Sequence, residues 1–206
     1  MEKNKSQDTK QKLLDSAIEV FSEKGFDGAR VDEIAGRAKV NKAMLYYYFS
    51  SKEKLFEEII LQYKKDFKEI KDSFIDNVDI DDDSKIESLF QLLYNFMVKK
   101  KDVLRVMMIE SIKATSSTET IFSSALPSLE IKVSNLKNKG VAVEDPVTLM
   151  INSFFYMMVP AAAFIVMGEK WGDFYGFNED DVKKKFLESY KRIRKEFVQN
   201  KPYECT

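Results

Sequence analysis

Four prolines and seven glycines are spread over the 206 residues of this chain, and that scarcity limits the fold more than any other feature. A fold of short strands needs a turn every few residues, and turns draw on Gly and Pro for their backbone angles. A chain poor in both, whose apolar residues return at helical intervals, is predicted to be all-α with long helices. A hydrophobic share of 44% and an aromatic share of 13% supply a core, so wholesale disorder is excluded. Neither hairpin turn signals nor an internal repeat is present.

The sequence contains no histidine, which removes Ser-His-Asp triads, Cys-His pairs, imidazole zinc sites and His general bases. Its one cysteine, Cys205, allows no intrachain disulfide, CxxC motif or cysteine-rich metal site. A reducing compartment fits best, and the polar stretch 1–12 lacks the apolar run of a secretory signal, so the cytoplasm is the expected location. Asp79, Asp81, Asp82 and Asp83 read as a solvated break and helix cap, because the glycine and oxygen spacing of a calcium loop are missing. No catalytic group, cofactor or metal is expected.

Leu13, Leu14, Ala17, Ile18 and Phe21 mark a first helix over about 9–24, closed by Gly25. A second, about 31–38, turns Ile34 and Ala35 inward, and Asn41 offers a cap for a third over 42–48. Ser50 and Glu53 form a capping box for a long fourth helix running through Leu55, Phe56, Ile59, Ile60, Tyr63, Phe67 and Ile70. Further helices are predicted at about 84–100, 103–114, 119–139, 146–167 and 179–199, with Asp145 as cap and Pro146 in the first helical position of the fourth of these. Pro127 and Pro160 fall inside two of them, leaving the carbonyls of Ser123 and Tyr156 without a helical donor, and either kink or end their helices.

The segment 147–167 carries no formal charge and is long enough to span a bilayer. Thr148, Asn152, Ser153 and Pro160 inside it, and the absence of a basic cluster at its ends, argue instead for a helix buried on all faces. In a domain this small such burial calls for a second subunit.

The first 55 residues hold 11 basic and nine acidic groups, a net +2, while the remainder is −3. Within that basic part, two short helices joined by Lys39-Val40-Asn41 describe a helix-turn-helix over about 31–50. The stretch 25–55, GFDGARVDEIAGRAKVNKAMLYYYFSSKEKL, resembles the tetracycline-repressor (TetR) family of bacterial regulators. Gly25-Phe26, Ile34-Ala35, Ala38, Val40, Leu45-Tyr46, Tyr48-Phe49, Lys52 and Leu55 stand where that family's pattern places them, and the match covers about 9–60. The resemblance implies a three-helix DNA-binding domain over 1–55 and a larger helical ligand-binding and dimerisation domain over 56–206.

The leading residues of a helix in the major groove face base edges. Here they are Asn41, Lys42, Ala43 and Met44. Lys42 suits guanine O6 and N7 or a phosphate, Asn41 suits a helix cap or a phosphate, and Ala43 and Met44 offer apolar contact such as a thymine methyl. The resemblance implies that Tyr46 and Tyr47 meet the DNA backbone while Leu45, Tyr48 and Phe49 pack inward, and that Lys52 contacts phosphate. Several positions depart from the family pattern. Ala29 and Arg30 replace the usual hydroxyl residues, Lys39 and Asn41 the usual Gly and Ser of the turn, and Ala43 a small Gly. Arg30 is a poor cap but offers a charge-assisted phosphate contact.

For the C-terminal part the resemblance implies a cavity for a small effector and a homodimer through about 146–167 and 179–199. A two-fold dimer would set its recognition helices about 34–36 Å apart on double-stranded DNA. Phe96, Met107, Met108, Phe122, Phe154, Tyr156, Met157 and Phe164, with Trp171 nearby, are the candidate effector contacts. Their thioethers and rings suit an apolar or aromatic molecule, and plain core packing is the alternative for each. The expected activity is that of a ligand-responsive transcriptional regulator, a repressor that leaves a palindromic operator when its effector binds. The alternative is a helical adaptor of the same fold that acts through a protein partner rather than DNA.

Overall fold

The computed structural model describes residues 2–75, 83–113, 121–122 and 145–199. Every regular element among them is helical, and the chain forms two compact units, 1–125 and 126–206. The first holds α1 (Glu2–Gly28), α2 (Val31–Arg37), α3 (Lys42–Phe49), α4 (Lys52–Ile75), α5 (Asp83–Lys99) and α6 (Lys101–Ile112). The second holds α7 (Pro146–Ile151), a π-helical segment (Asn152–Met158), α8 (Val159–Tyr175) and α9 (Glu179–Gln199). Compactness thus groups α4 to α6 with the first three helices, whereas the functional division expected at 55/56 follows the TetR resemblance.

Helix α1 starts at Glu2 rather than near Thr9. Polar residues extend it: Lys12 pairs with Asp8 one turn earlier at 2.7 Å, and the Ser6 hydroxyl lies 3.0 Å from that of Tyr48. Gly25, at φ 71°, breaks the helix as expected, and one further turn follows it. A left-handed residue at this bend needs the freedom of glycine. Inward of α1 lie Leu13, Leu14, Ala17, Val20 and Phe21. Ile18 is only half-buried, because it sits at the margin of the stripe that Val20 completes.

Against this stripe pack Ile34 and Ala35 of α2, Leu45 and Phe49 of α3, and Leu55, Phe56, Ile59 and Ile60 of α4. At its centre the rings of Phe21, Phe26 and Phe56 lie 5.2–5.6 Å apart. Farther along α4, Tyr63 and Phe67 meet Phe96 of α5 at 5.2 and 5.8 Å. Helix α6 lies on α1 and brings Glu110, only 1% exposed, to the bend at Gly25.

The start of α4 corrects the predicted capping box. Ser51, not Ser50, is the cap, its Oγ accepting from the Lys54 amide at 3.2 Å. Ser50 occupies a tight turn at φ 65°, ψ −38°, closed by the Ser51 amide donating to the Phe49 carbonyl at 2.7 Å. That turn is a γ-turn of the strained hand for an L residue. Ser50→Gly is therefore expected to raise stability by roughly 0.5–1 kcal/mol, net of the greater freedom of glycine in the unfolded chain. The thermal midpoint should rise by about 1–4 °C. An unchanged or lower midpoint would show that the turn stores no strain.

In the second unit Asp145 caps α7 as predicted, its carboxylate accepting from the Thr148 amide at 3.1 Å. The predicted helix 146–167 is not uniform. Pro160 has no amide to offer the Tyr156 carbonyl, and the residues before it widen into the π-helical segment, whose wider register is seen in the Val159 amide donating to the Phe154 carbonyl. Helix α8 then runs past Met167 to Tyr175, because Gly168 and Gly172 continue the buried side beside the exposed Glu169 and Lys170. Left-handed Gly176 ends it, with the Phe177 amide donating to the Gly172 carbonyl at 2.9 Å. Asn178 caps α9 through the Asp181 amide at 3.2 Å.

Burial on all faces does not hold within one chain. Ala161, Ala162 and Ile165 are buried, whereas Val147 and Phe155 are 61% and 60% exposed. Among the described residues no helix is long and apolar enough to cross a membrane. The predicted helix 119–139 and Pro127 fall outside the described residues except for Ile121 and Phe122, as do acidic residues 79, 81 and 82.

Candidate nucleic-acid interface

Helices α2 and α3 are joined by a tight turn in which the Ala38 amide donates to the Ile34 carbonyl at 3.0 Å and the Val40 amide to the Ala35 carbonyl at 3.0 Å. Lys39, between them, is left-handed at φ 55°. Asn41 then caps α3, its Oδ1 accepting from the Ala43 amide at 2.9 Å. The cap uses its side-chain oxygen and leaves the amide group of Asn41 on the surface.

Leu45 and Phe49 anchor α3 in the core, which fixes what faces out. Asn41, Lys42 and Ala43 are exposed, Met44 is half-buried, and Tyr46 and Tyr47 are 46% and 77% exposed. Tyr48 is half-buried rather than core: its hydroxyl reaches Ser6 and its ring braces Tyr47 edge-on at 5.1 Å. One helix thus presents a polar end, a cation and two phenols on a rigid support. Lys42 is not isolated. Its ammonium lies 2.9 and 3.0 Å from the two carboxylate oxygens of Asp32, and that bond raises its pKa above the usual lysine value.

Arg30 precedes α2 in extended conformation, without a side-chain cap, and its carbonyl accepts from the Glu33 and Ile34 amides at 3.1 Å. Its side chain is exposed. Lys52 is oriented inward: it donates to the Phe26 and Ala29 carbonyls at 2.8 and 3.1 Å and lies 4.3 Å from the centre of the Phe26 ring. Two of its three donors therefore hold the bend that leads into α2.

The candidate effector contacts divide between the two units. In the first, Phe96 and Met107 are buried, Met108 is half-buried and Phe122 is exposed. In the second, Phe154 meets Phe155 edge-on at 4.9 Å, Phe164 stacks on Phe186 at 3.8 Å, and Tyr156 is exposed. The Met157 carbonyl accepts from the Tyr190 hydroxyl at 2.6 Å. Trp171 is exposed beside Tyr175 and Phe177.

Residues 13–59 match the family described as bacterial regulatory proteins, tetR family. This N-terminal segment is similar to that family's domain. The biofilm operon icaADBC HTH-type negative transcriptional regulator IcaR of Staphylococcus epidermidis is 37% identical over 90 residues, which are 43% of this chain and 45% of the relative. Its Staphylococcus aureus counterpart is 38% identical over 92 residues, with the same shares. The match therefore spans less than half the length of these curated relatives. Among solved structures, the fatty acid degradation regulator FadR from Bacillus halodurans has a TM-score of 0.65 at 17% identity, over 93% of this chain and 99% of that one. A TetR-like transcriptional regulator from Rhodococcus sp. has a TM-score of 0.63 at 19% identity, over 94% and 97%. At such identities the likeness is one of fold. Each of these proteins is named a regulator and none an enzyme.

The matched segment also contains a charge network outside the predicted site residues. Arg37 donates to both Glu23 oxygens at 2.7 and 2.6 Å and to Glu33 at 2.9 Å, while Lys24 donates to Glu33 at 2.7 and 2.8 Å. The Arg37 bond holds Glu23 below the ordinary 4.5, and bonds from Lys24 and then Arg37 do the same for Glu33. The spacing of Glu33 and Arg37 was the one local signal for it. Because these folded-state values are depressed, the contribution is present above about 4.5 and is lost as pH falls through them. The stability difference between wild type and Arg37→Ala is expected to shrink toward zero from about pH 7 to about pH 3. A difference independent of pH in urea titrations would assign it to helix propensity instead.

Proposed function

We propose that this protein is a DNA-binding transcriptional regulator, a repressor that leaves a pseudo-palindromic operator when a small apolar or aromatic effector binds its C-terminal domain. The observation that carries this reading is the outer face of α3, where Asn41, Lys42, Ala43, Tyr46 and Tyr47 stand exposed while Leu45 and Phe49 lock the helix from behind. Arg30 and Lys39 flank this face as phosphate contacts, with Asn41, Met44, Tyr46 and Tyr47 on backbone and base edges. Lys52 keeps a place beside them chiefly by holding the bend at Phe26 and Ala29. The division is functional, 1–55 reading DNA and 56–206 binding effector and partner.

A homodimer through 146–167 and 179–199 is supported by apolar side chains left exposed there, among them Met150, Ile151, Phe155 and Ile193. The candidate effector residues within each unit have the apolar and aromatic chemistry that suits such a molecule. The regulator acts in the cytoplasm, where its DNA is. Linkage requires the effector to favour the state whose two recognition helices are wrongly spaced.

The test is binding of the purified protein to duplex DNA from its own upstream region, titrated with salt and nonspecific competitor. Saturable, competitor-resistant binding with a steep salt slope is expected. Lys39→Ala should weaken binding on every sequence alike and reduce the salt slope by about one. Weak binding equal on all duplexes would reject operator reading and favour the adaptor of the same fold.

A further inference from the structure

The cations on the outer face of the helix-turn-helix are of two kinds. Among the described residues, Arg30 and Lys39 show no carboxylate partner, whereas Lys42 shares its ammonium with both oxygens of Asp32 at 2.9 and 3.0 Å. Both members of that pair face solvent, at 45% and 71% exposure. Asp32 is the second residue of α2 and Lys42 the first of α3, so the pair bridges the two helices at the leading edge of the recognition helix. An ammonium already matched by a carboxylate gains little from a phosphate, because the carboxylate repels it at nearly the same distance. A donor and an acceptor held side by side are matched instead by an edge that presents both.

We propose that Asp32 and Lys42 together read one G·C base pair in each operator half-site, Lys42 donating to guanine and Asp32 accepting from cytosine. This rests on the reading of α3 as the helix that enters the major groove. Across that groove a G·C pair presents two acceptors, N7 and O6 of guanine, then the N4 amino donor of cytosine. The O6 and N4 groups are about 2.9 Å apart, joined by their own hydrogen bond, a spacing close to that of the ammonium and carboxylate. With one N–H shared between the two Asp32 oxygens, Lys42 has two donors left for N7 and O6, and the carboxylate accepts a hydrogen bond from the N4 amino group. An A·T pair presents acceptor, donor, acceptor and a methyl group, so one Lys42 donor goes unmatched and the thymine O4 opposes the carboxylate. Asp32 also makes the contact selective rather than merely attractive. Without the lysine its charge would be expelled from the groove, and without the carboxylate the lysine would be free to turn to phosphate.

The experiment is selection from a random-sequence duplex library by the full-length protein, repeated with Asp32→Asn and Lys42→Ala. Circular dichroism establishes that each variant is folded, as expected for two exposed positions. Wild type should enrich a motif with an invariant G·C pair at one position of each half-site. Asp32→Asn and Lys42→Ala should each lose discrimination at that same position by about tenfold or more while keeping the rest of the motif. The proposal is overturned if both variants enrich the wild-type motif unchanged. It is equally overturned if Lys42→Ala weakens all sequences evenly and lowers the salt slope by about one, the behaviour of a phosphate contact. A wild-type protein that enriches nothing above background would reject the DNA-reading function itself, an outcome distinct from either.

Discussion

Alanine at position 56 is expected to destabilise the N-terminal unit by about 3–5 kcal/mol. Phe56 is 1% exposed and touches Phe21 edge-on at 5.6 Å and Phe26 at 5.2 Å. Its ring is where α4, the body of α1 and the bend after Gly25 meet. Deleting it removes the buried area of a large side chain and leaves a cavity that rigid aromatic neighbours fill poorly. Phe56→Leu keeps most of the volume and should cost less, about 1–1.5 kcal/mol. Urea unfolding followed by circular dichroism measures both. A loss under about 1 kcal/mol for alanine would mean that the three-ring cluster collapses freely. Since the cluster also anchors the segment leading into α2, the proposed function adds that operator affinity should fall along with stability.

Lys113→Met should have the second largest effect, about 2–4 kcal/mol. Buried Glu110 has one oxygen that accepts from the Phe26 amide at 3.2 Å and from Lys113 at 2.9 Å, and a second that has no hydrogen-bond partner. Lys113 also reaches Asp27 at 3.1 Å. Taking away the ammonium leaves a buried carboxylate served by a single amide, which is costlier than losing the pair as a whole. The double variant Glu110→Gln with Lys113→Met should therefore recover part of the loss, and a double-mutant cycle should show coupling of about 1–3 kcal/mol. Additive single effects would refute the pairing. Bonds to Glu110 and then Asp27 raise the Lys113 pKa above its ordinary 10.5. The stabilisation is then complete below that value and is lost as pH rises through the folded-state pKa, so the coupling should persist at neutral pH and fade only in strong alkali.

Both predictions concern the bend at Gly25, and the sequence revealed only half of it. The glycine was legible as a helix end because the apolar stripe stops there. That Glu110, Lys113 and Lys52 all bind the residues after it was not, since Glu110 lies 84 positions from Phe26 and Lys52 lies 26 positions from it. For Lys52 the resemblance implies a phosphate contact, while its geometry puts two of its three donors on backbone carbonyls. The serines at 50 and 51 show the same limit at short range. The cap was expected at Ser50 and falls on Ser51, because α3 runs to Phe49 and Ser50 takes the tight turn that follows it.

The sequence by itself determined the helical class, the caps at Asn41 and Asp145, most of the inward residues of α1 to α4, though not Ile18 or Tyr48, and the outward placing of Tyr46 and Tyr47 on α3. Each of these follows from a period of 3.6 residues and from local backbone chemistry, which neighbours in the chain decide. Pro160 lies between the two cases: a missing amide was certain and a kink or a break was expected, whereas the π-helical widening before it appears only in the structure. Only the tertiary structure decided which distant polar groups meet: Asp32 with Lys42, Arg37 with Glu23, Lys113 with Asp27 and Glu110 with the Phe26 amide. The physical reason is that burial pattern specifies which face of a helix turns inward. Pairing between polar groups is set by the angle and offset at which two helices come to rest, and no local period encodes that.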